Sequence, residues 1–398
     1  MDISISPAPI SGQIPSIASK SAAHRLYICA ALAKDSTQII CDGSSKDIAA
    51  TRACLEAAQS SDAQLPCGES GSTLRFLLPV MAALGKDVTF RMEGRLPQRP
   101  LSPLDAQLTA HGVSLSRPGP ELLRVSGRLT PGEYTLPGNV SSQFISGLLF
   151  ALPLLDGPST LTVTGKVESA PYIDMTLDAL AQFGIQPEKN GNTYHIQPQP
   201  YTSPGTVRVE GDWSNAAFWL CAGALSGPVT VCGLDTNSLQ GDKAVVPLLE
   251  RFGAKTEQIG DRVTVSPGPL TAVDIDAAAI PDLVPVLSVI AAAARGTTRI
   301  YHAQRLRLKE SDRIQSVCRM LASLGAKAEE TEDGLLIHGG FPLSGGSVDS
   351  CNDHRIAMAA AVASVLCSGP TTVLGAEAVE KSYPDFWAHL RTLTHCTE

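Results

Sequence analysis

The stretch RLRLKESDRI, residues 305–314, sets six ionisable side chains among ten positions of a chain that is only 18% charged. Lys309 and Arg313 offer N–H donors to an anion, and a guanidinium fork suits phosphate or carboxylate in two-point contact. Glu310 places a carboxylate among these cations, a combination that can move a proton next to a bound anion. Similar groups recur: Lys20 and Ser21 with Arg25, then Ser70, Gly71, Ser72 and Thr73, then Ser141, Ser142 and Gln143, then Asp282, then Asp353, His354 and Arg355. Each opens an Ala- and Leu-rich run that reads as a helix, and the start of a helix presents free N–H groups and a positive dipole end to anions. One Ser or Asp there is an ordinary cap, but Lys-Ser, Ser-Gly-Ser-Thr and Asp-His-Arg exceed what capping requires. Lys20, Arg25, Arg75, Arg99, Lys309, Arg313, Arg355 and Lys381 together form a cation excess over Asp282 and Glu310.

That excess matters because the whole chain carries a formal net charge of −8. The long-range field repels nucleic acid and other polyanions, so an anionic ligand needs a local cationic cluster. An aromatic content of 5% also argues against a base-stacking surface. The longest apolar run, LVPVLSVIAAAA at 283–294, contains Pro285 and falls short of the roughly 20 residues that span a bilayer. The N-terminus has no basic start followed by an apolar run, so no secretory signal is read and a cytoplasmic location is expected. The ten cysteines form no CxxC pair and read as reduced thiols. No His/Cys/carboxylate cluster has metal-ligand spacing, and neither a metal nor a cofactor is expected.

The elements that hold these groups repeat. DAQLTAHGV, DALAQFGI, PLLERFGA and MLASLGA close on Gly112, Gly184, Gly253 and Gly325, spaced by about 70 residues, each read as a helix C-terminus. Six runs alternate with them: KSAAHRLYICAALAKD, SGSTLRFLLPVMAALGK, SSQFISGLLFALPLLDG, WSNAAFWLCAGALSG, PDLVPVLSVIAAAARG and DHRIAMAAAVASVLCSG. They are apolar nearly all round and therefore expected to be buried on every side. The strands between them alternate, which suits sheets with one wet face. Three such units per domain, twice, account for the length: an α/β chain with helices inside and sheets outside.

KSAAHR, GESGSTLR, RPL, VSSQFISGLL, PYIDMT, LRLKESDR, NDHRIAMA and KSYPDFW, running in order from about residue 11 to 387, resemble the signature set of the 3-phosphoshikimate 1-carboxyvinyltransferases, the EPSP synthase family. The resemblance implies a two-domain inverse α/β barrel, or prism, of three βαβαββ repeats per domain. One domain would span 14–211 and the other 1–13 plus 212–398. It implies two small-molecule partners, shikimate 3-phosphate and phosphoenolpyruvate, and a monomer acting without nucleic acid, membrane or metal. Glyphosate would be an inhibitor, with Gly71 leaving it room.

By the same resemblance Lys20, Ser21, Arg25, Ser141, Ser142, Gln143, Ser169, Asp282 and Lys309 hold shikimate 3-phosphate. Lys20, the Gly71 backbone, Arg99, Gln143, Arg313, Arg355 and Lys381 hold phosphoenolpyruvate. Asp282 and Glu310, with Lys20 as an alternative proton donor, are the expected catalytic groups, and His354 is a neighbour of Arg355. Two positions depart from many members, which carry Asn: Glu69 and Arg305. The rival UDP-N-acetylglucosamine 1-carboxyvinyltransferases carry a cysteine ahead of their Arg-Pro motif, whereas RMEGRLPQRP here has none.

Overall fold

The structure is a computed structural model that describes residues 1–60 and 63–394. The chain is mixed α/β and divides into two compact units: Lys20–Val209, and Met1–Ser19 together with the chain from Glu210 onward. The division expected at 13/14 and 211/212 therefore shifts. Gly12–Pro15 pairs in parallel with Val229–Cys232, and this ladder keeps residues 14 and 15 with the later part of the chain.

Twelve α-helices are present among the described residues. They are α1 Lys20–Leu32, α2 Lys46–Ala57, α3 Gly71–Ala83, α4 Leu104–Ala110, α5 Ser142–Ala151 and α6 Ala170–Gln182 in one unit. The other holds α7 Trp213–Leu225, α8 Val245–Phe252, α9 Val284–Ala293, α10 Arg313–Ser323, α11 His354–Ala363 and α12 Phe386–Thr394. The six apolar runs are the odd-numbered helices. Almost all of α3, α5, α7 and α9 and the whole of α11 are buried. The even-numbered helices bury one stripe each, as amphipathic helices do. Helix α1 departs from the expected all-round burial: half its residues are buried, and on its outer side Arg52 of α2 stands 5.5 Å from the Tyr27 ring. In the α7–α12 unit all six helices feed one continuous apolar core.

The sheets explain how the repeats are threaded. Gln64–Gly68, α3, Val88–Met92, α4 and the hairpin Val113–Gly119/Leu122–Gly127 make one repeat, in which the first two strands are parallel and the hairpin adds antiparallel. Glu133–Pro137 with Ser159–Thr164, and Ile275–Asp276 with Gly296–Tyr301, begin repeats of the same order. The other three borrow a strand from elsewhere in the chain. Thr206–Arg208 leads the α1 repeat beside Gln38–Ile40, Gly12–Pro15 leads the α7 repeat, and Asp2–Ile5 closes the α11 repeat against Thr371–Leu374. Each of these three repeats is thus completed by a strand distant from it in sequence. Glycines 112, 184, 253 and 325 follow α4, α6, α8 and α10 with positive φ of 91°, 80°, 110° and 86°, the left-handed stop that their spacing implied.

Helices α3 and α5 approach closely at Gly147, where an added Cβ would run into the carbonyl oxygen of Arg75 and lie 2.9 Å from Pro79 Cγ. Both obstacles belong to a buried helix that cannot yield cheaply. Gly147→Ala is expected to destabilise the protein by about 1–3 kcal/mol, the usual scale for an overpacked core. Urea unfolding checks this: the midpoint should fall at unchanged slope, and an unmoved midpoint would contradict the close approach.

Candidate active site

In the Lys20–Val209 unit the singled-out residues lie at helix starts tied together by side-chain hydrogen bonds. Lys20 opens α1, its Nζ 2.9 Å from Asp47 Oδ2 in the first turn of α2. Arg25, one turn on, is buried. It donates to Thr176 Oγ1 at 2.8 Å and the Tyr172 carbonyl at 2.7 Å on α6, and back to the Ser21 carbonyl at 2.6 Å. Burial pushes its pKa down to about 10, so the guanidinium remains charged at neutral pH. Arg25 thereby fixes Ser21 against α6, whose first turn follows Ser169, itself buried and left-handed at φ 55°.

Ser70 caps α3 by accepting from Thr73 N, and Ser141 caps α5 by accepting from Gln143 N, each at 3.3 Å. Gln143 then bridges the two helix starts, donating to Ser72 Oγ at 3.0 Å and accepting from Arg75 Nη1 at 3.3 Å. Gly71 begins α3 under two guanidinium groups: a Cβ there would lie 2.6 Å from Arg75 Nη1 and 2.8 Å from Arg99 Nη1. The Arg75 and Arg99 forks therefore converge on the Gly71 turn. Glu69 folds its carboxylate over Gly94, whose missing side chain makes the room.

In the other unit the centre is Arg313, 1% exposed. Its Nε donates to Asp353 Oδ2 at 2.8 Å, Nη1 to Asp282 Oδ1 at 2.7 Å, and Nη2 to Glu310 Oε2 at 2.6 Å and Asp353 Oδ1 at 3.3 Å. Asp353 accepts two further bonds, from Ser311 Oγ and from Arg355 N at the start of α11. Arg355 Nη2 reaches Asp282 Oδ2 at 3.0 Å, and Lys309 Nζ stands 3.7 Å from Asp282 Oδ1. Burial alone would raise the pKa of Asp282, but Arg355, Lys309 and Arg313 outweigh it and hold the carboxyl well below its usual range. Lys381 donates to the Asn352 carbonyl at 2.6 Å, which Cys351 and Asn352 present by taking left-handed backbone at φ 53° and 54°.

These contacts revise the charge count. In the α1–α6 unit Lys20, Arg25, Arg75 and Arg99 stand against Asp47 and Glu69, a net excess of cations. In the other unit Lys309, Arg313, Arg355 and Lys381 meet Asp282, Glu310, Asp353 and Asp242, so the expected excess is absent there. Asp353 stands in the Asp-His-Arg group singled out in the sequence, but no role beyond the cap is read for it there. Asp242 gives no signal beyond its QGD context; it is buried, takes a hydrogen bond from Ser214, and is pushed up to about 7 by burial and by Asp282. RLRLKESDRI itself divides. Arg307 makes ordinary surface pairs with Asp312 and Glu330, Arg305 donates to the Ala278 carbonyl at 2.9 Å, and Asp312 caps α10. Lys309, Glu310 and Arg313, with the Ser311 hydroxyl, enter the buried cluster. Among the described residues no group of three His, Cys, Asp or Glu could hold a metal ion, and the nine described cysteines are free, Cys396 lying outside them.

The sequence model of the EPSP synthase family, 3-phosphoshikimate 1-carboxyvinyltransferase, matches residues 56–390. A Clostridium kluyveri protein of that name is 41% identical, over 98% of this chain and 97% of its own. A Brachyspira hyodysenteriae protein of the same name is 38% identical over 99% of both. The solved EPSP synthase from Acinetobacter baumannii superposes with a TM-score of 0.81 at 25% identity, over 98% of this chain and 97% of that one.

Lys309 makes the half-buried cluster testable without substrate. Burial lowers its pKa from the ordinary 10.5 to about 8. Between about 8 and 10.5 the unfolded chain therefore holds more protons than the folded one, and this group makes stability rise with pH across that window. Subtracting the stability of Lys309→Met from that of the unsubstituted protein should give a difference that is flat below pH 8 and rises above it in urea titrations. A difference that stays flat to pH 10 would contradict the burial of the ammonium.

Proposed function

This chain belongs to the EPSP synthase family, and from that membership we propose that it transfers the enolpyruvyl group of phosphoenolpyruvate to the 5-hydroxyl of shikimate 3-phosphate, releasing phosphate. The observation that carries the reading is the buried pairing of Asp282 and Glu310 on one guanidinium, with Lys309 and Arg355 on the same Asp282. Two carboxylates held within reach of anion-binding cations suit a reaction that moves protons between two anionic substrates.

In the addition step the 5-hydroxyl oxygen bonds to C2 of phosphoenolpyruvate, Asp282 takes the hydroxyl proton, and C3 gains a proton from Glu310, with Lys20 the alternative donor. In the elimination step C3 returns that proton, the C2–O bond to phosphorus breaks, and the hydroxyl proton leaves with the phosphate. Asp282 is a weak base while three cations surround it; substrate anions that engage Arg355, Lys309 and Arg313 offset that field and restore its basicity. Ser21, Arg25, Ser141, Ser142, Gln143, Ser169 and Lys309 hold shikimate 3-phosphate. Gly71, Arg99, Gln143, Arg313, Arg355 and Lys381 hold phosphoenolpyruvate, and Lys20 touches both. One N–H of Arg313 is left over from its carboxylates for this purpose. The work is orientation and charge compensation.

We read each unit as an inverse α/β prism, helices within and sheets without; the burial of α3, α5, α7, α9 and α11 supports this. A cytoplasmic monomer is the matching assembly, and no described helix is long and apolar enough to cross a membrane. The missing cysteine in RMEGRLPQRP stands against the UDP-N-acetylglucosamine alternative.

Phosphate release from shikimate 3-phosphate and phosphoenolpyruvate is the test. Asp282→Asn and Glu310→Gln are each expected to lower kcat by about two orders of magnitude or more, with much smaller changes in KM. Near-normal turnover in either variant would remove that residue from the chemistry.

A further inference from the structure

Three helices of the Lys20–Val209 unit are joined by a buried chain of hydrogen bonds that the proposed chemistry does not use. His24 Nδ1 on α1 lies 2.7 Å from Thr51 Oγ1 on α2, Thr51 Oγ1 lies 2.6 Å from Thr73 Oγ1 on α3, and Thr73 Oγ1 donates to Ser70 Oγ at 2.7 Å. His24, Thr51 and Thr73 are fully buried and Ser70 is 1% exposed.

The direction of the chain follows from counting protons. Each hydroxyl has one, and Thr73 gives its own to Ser70. Thr51 must then donate to Thr73, and Thr51 can only accept from His24. His24 is therefore protonated on Nδ1. Its Nε2 is buried and has no hydrogen-bond partner among the described residues, which agrees: a bare lone pair is cheaper to bury there than an unpaired N–H. Burial, with Lys20 and Arg25 nearby, keeps the ring neutral by holding its pKa well below the usual value.

We propose that His24, Thr51 and Thr73 are positioning residues that lock Ser70 at the start of α3, so that the adjacent Gly71 N–H and the Arg99 fork keep the shape that receives phosphoenolpyruvate. This rests on the reading of Gly71 and Arg99 as donor-binding groups. The chain ends on the hydroxyl that caps α3, one residue before Gly71, and its far end stands on α1, the helix that carries Lys20, Ser21 and Arg25. A break anywhere along it frees the cap to rotate and loosens the one turn where backbone, Arg75 and Arg99 meet.

The test measures KM for each substrate, kcat and Tm. Thr51→Val keeps the volume and removes the hydroxyl; KM for phosphoenolpyruvate should rise about tenfold, the scale of one buried hydrogen bond and its orphaned partners, while kcat and KM for shikimate 3-phosphate change by less than about twofold. Thr51→Ser should restore the value. His24→Asn keeps an N–H near Nδ1 and should stay near normal, whereas His24→Leu should behave like Thr51→Val. In the unsubstituted protein the ring 15N shifts of His24 should report a protonated Nδ1 and a bare Nε2, unchanged from pH 5 to 8. An unchanged phosphoenolpyruvate KM in Thr51→Val, equal rises in both KM values, failure of Thr51→Ser to rescue, or the opposite tautomer would each overturn the inference. An unsubstituted protein that releases no phosphate from the pair would instead overturn the functional reading, and this inference with it.

Discussion

The Arg313 guanidinium, buried and shared among three carboxylates, is the interaction on which the α7–α12 unit depends. A charge taken out of water costs several kcal/mol unless paired and hydrogen-bonded, and removing one partner of such a pair costs about 3–5 kcal/mol. Here four donated bonds reach Asp282 ahead of α9, Glu310 ahead of α10 and Asp353 at the start of α11. The starts of three helices from two successive repeats are thus held by one side chain. The same contacts orient the two carboxylates assigned to proton transfer, so structure and reactivity share one set of bonds.

The two units solve the anion problem differently. Around α1, α3 and α5 the cations exceed the carboxylates, and helix starts, hydroxyls and a glycine frame them. Around Arg313 carboxyl groups match the cations in number, and burial and the neighbouring Asp282 push the pKa of Asp242 up. An anion arriving there must compete with carboxylates already in place. In the proposed mechanism that competition is the means by which a substrate changes the basicity of Asp282.

Much of this was legible in the chain itself, and the reasons differ by element. The six apolar runs announced their helices because burial on all sides leaves no polar face to confuse the period, and Gly253 and its three counterparts marked the amphipathic series. Helix α1 was misread because its outer face is Ala- and Tyr-bearing, and burial on such a face depends on what lies across it. The borrowed strands Asp2–Ile5, Gly12–Pro15 and Thr206–Arg208 are three or four residues long and pair with strands far along the chain, so no local pattern exposes them, and the units divide at 19/20 and 209/210, six residues after and two before the expected places. Lys309, Glu310 and Arg313 stood out by type and spacing. Asp353 was singled out with His354 and Arg355 but given no role beyond the cap, because its second task, taking two bonds from Arg313, needs a partner 40 residues away.

The claim that this machinery performs one coupled transfer is tested most directly by 31P and 1H NMR of the protein mixed with shikimate 3-phosphate and phosphoenolpyruvate. The account predicts inorganic phosphate and a new enol ether, its two vinylic protons resolved, growing in equal amounts, and neither product when one substrate is omitted. Phosphate without the enol ether, or no product unless UDP-N-acetylglucosamine replaces shikimate 3-phosphate, would contradict it.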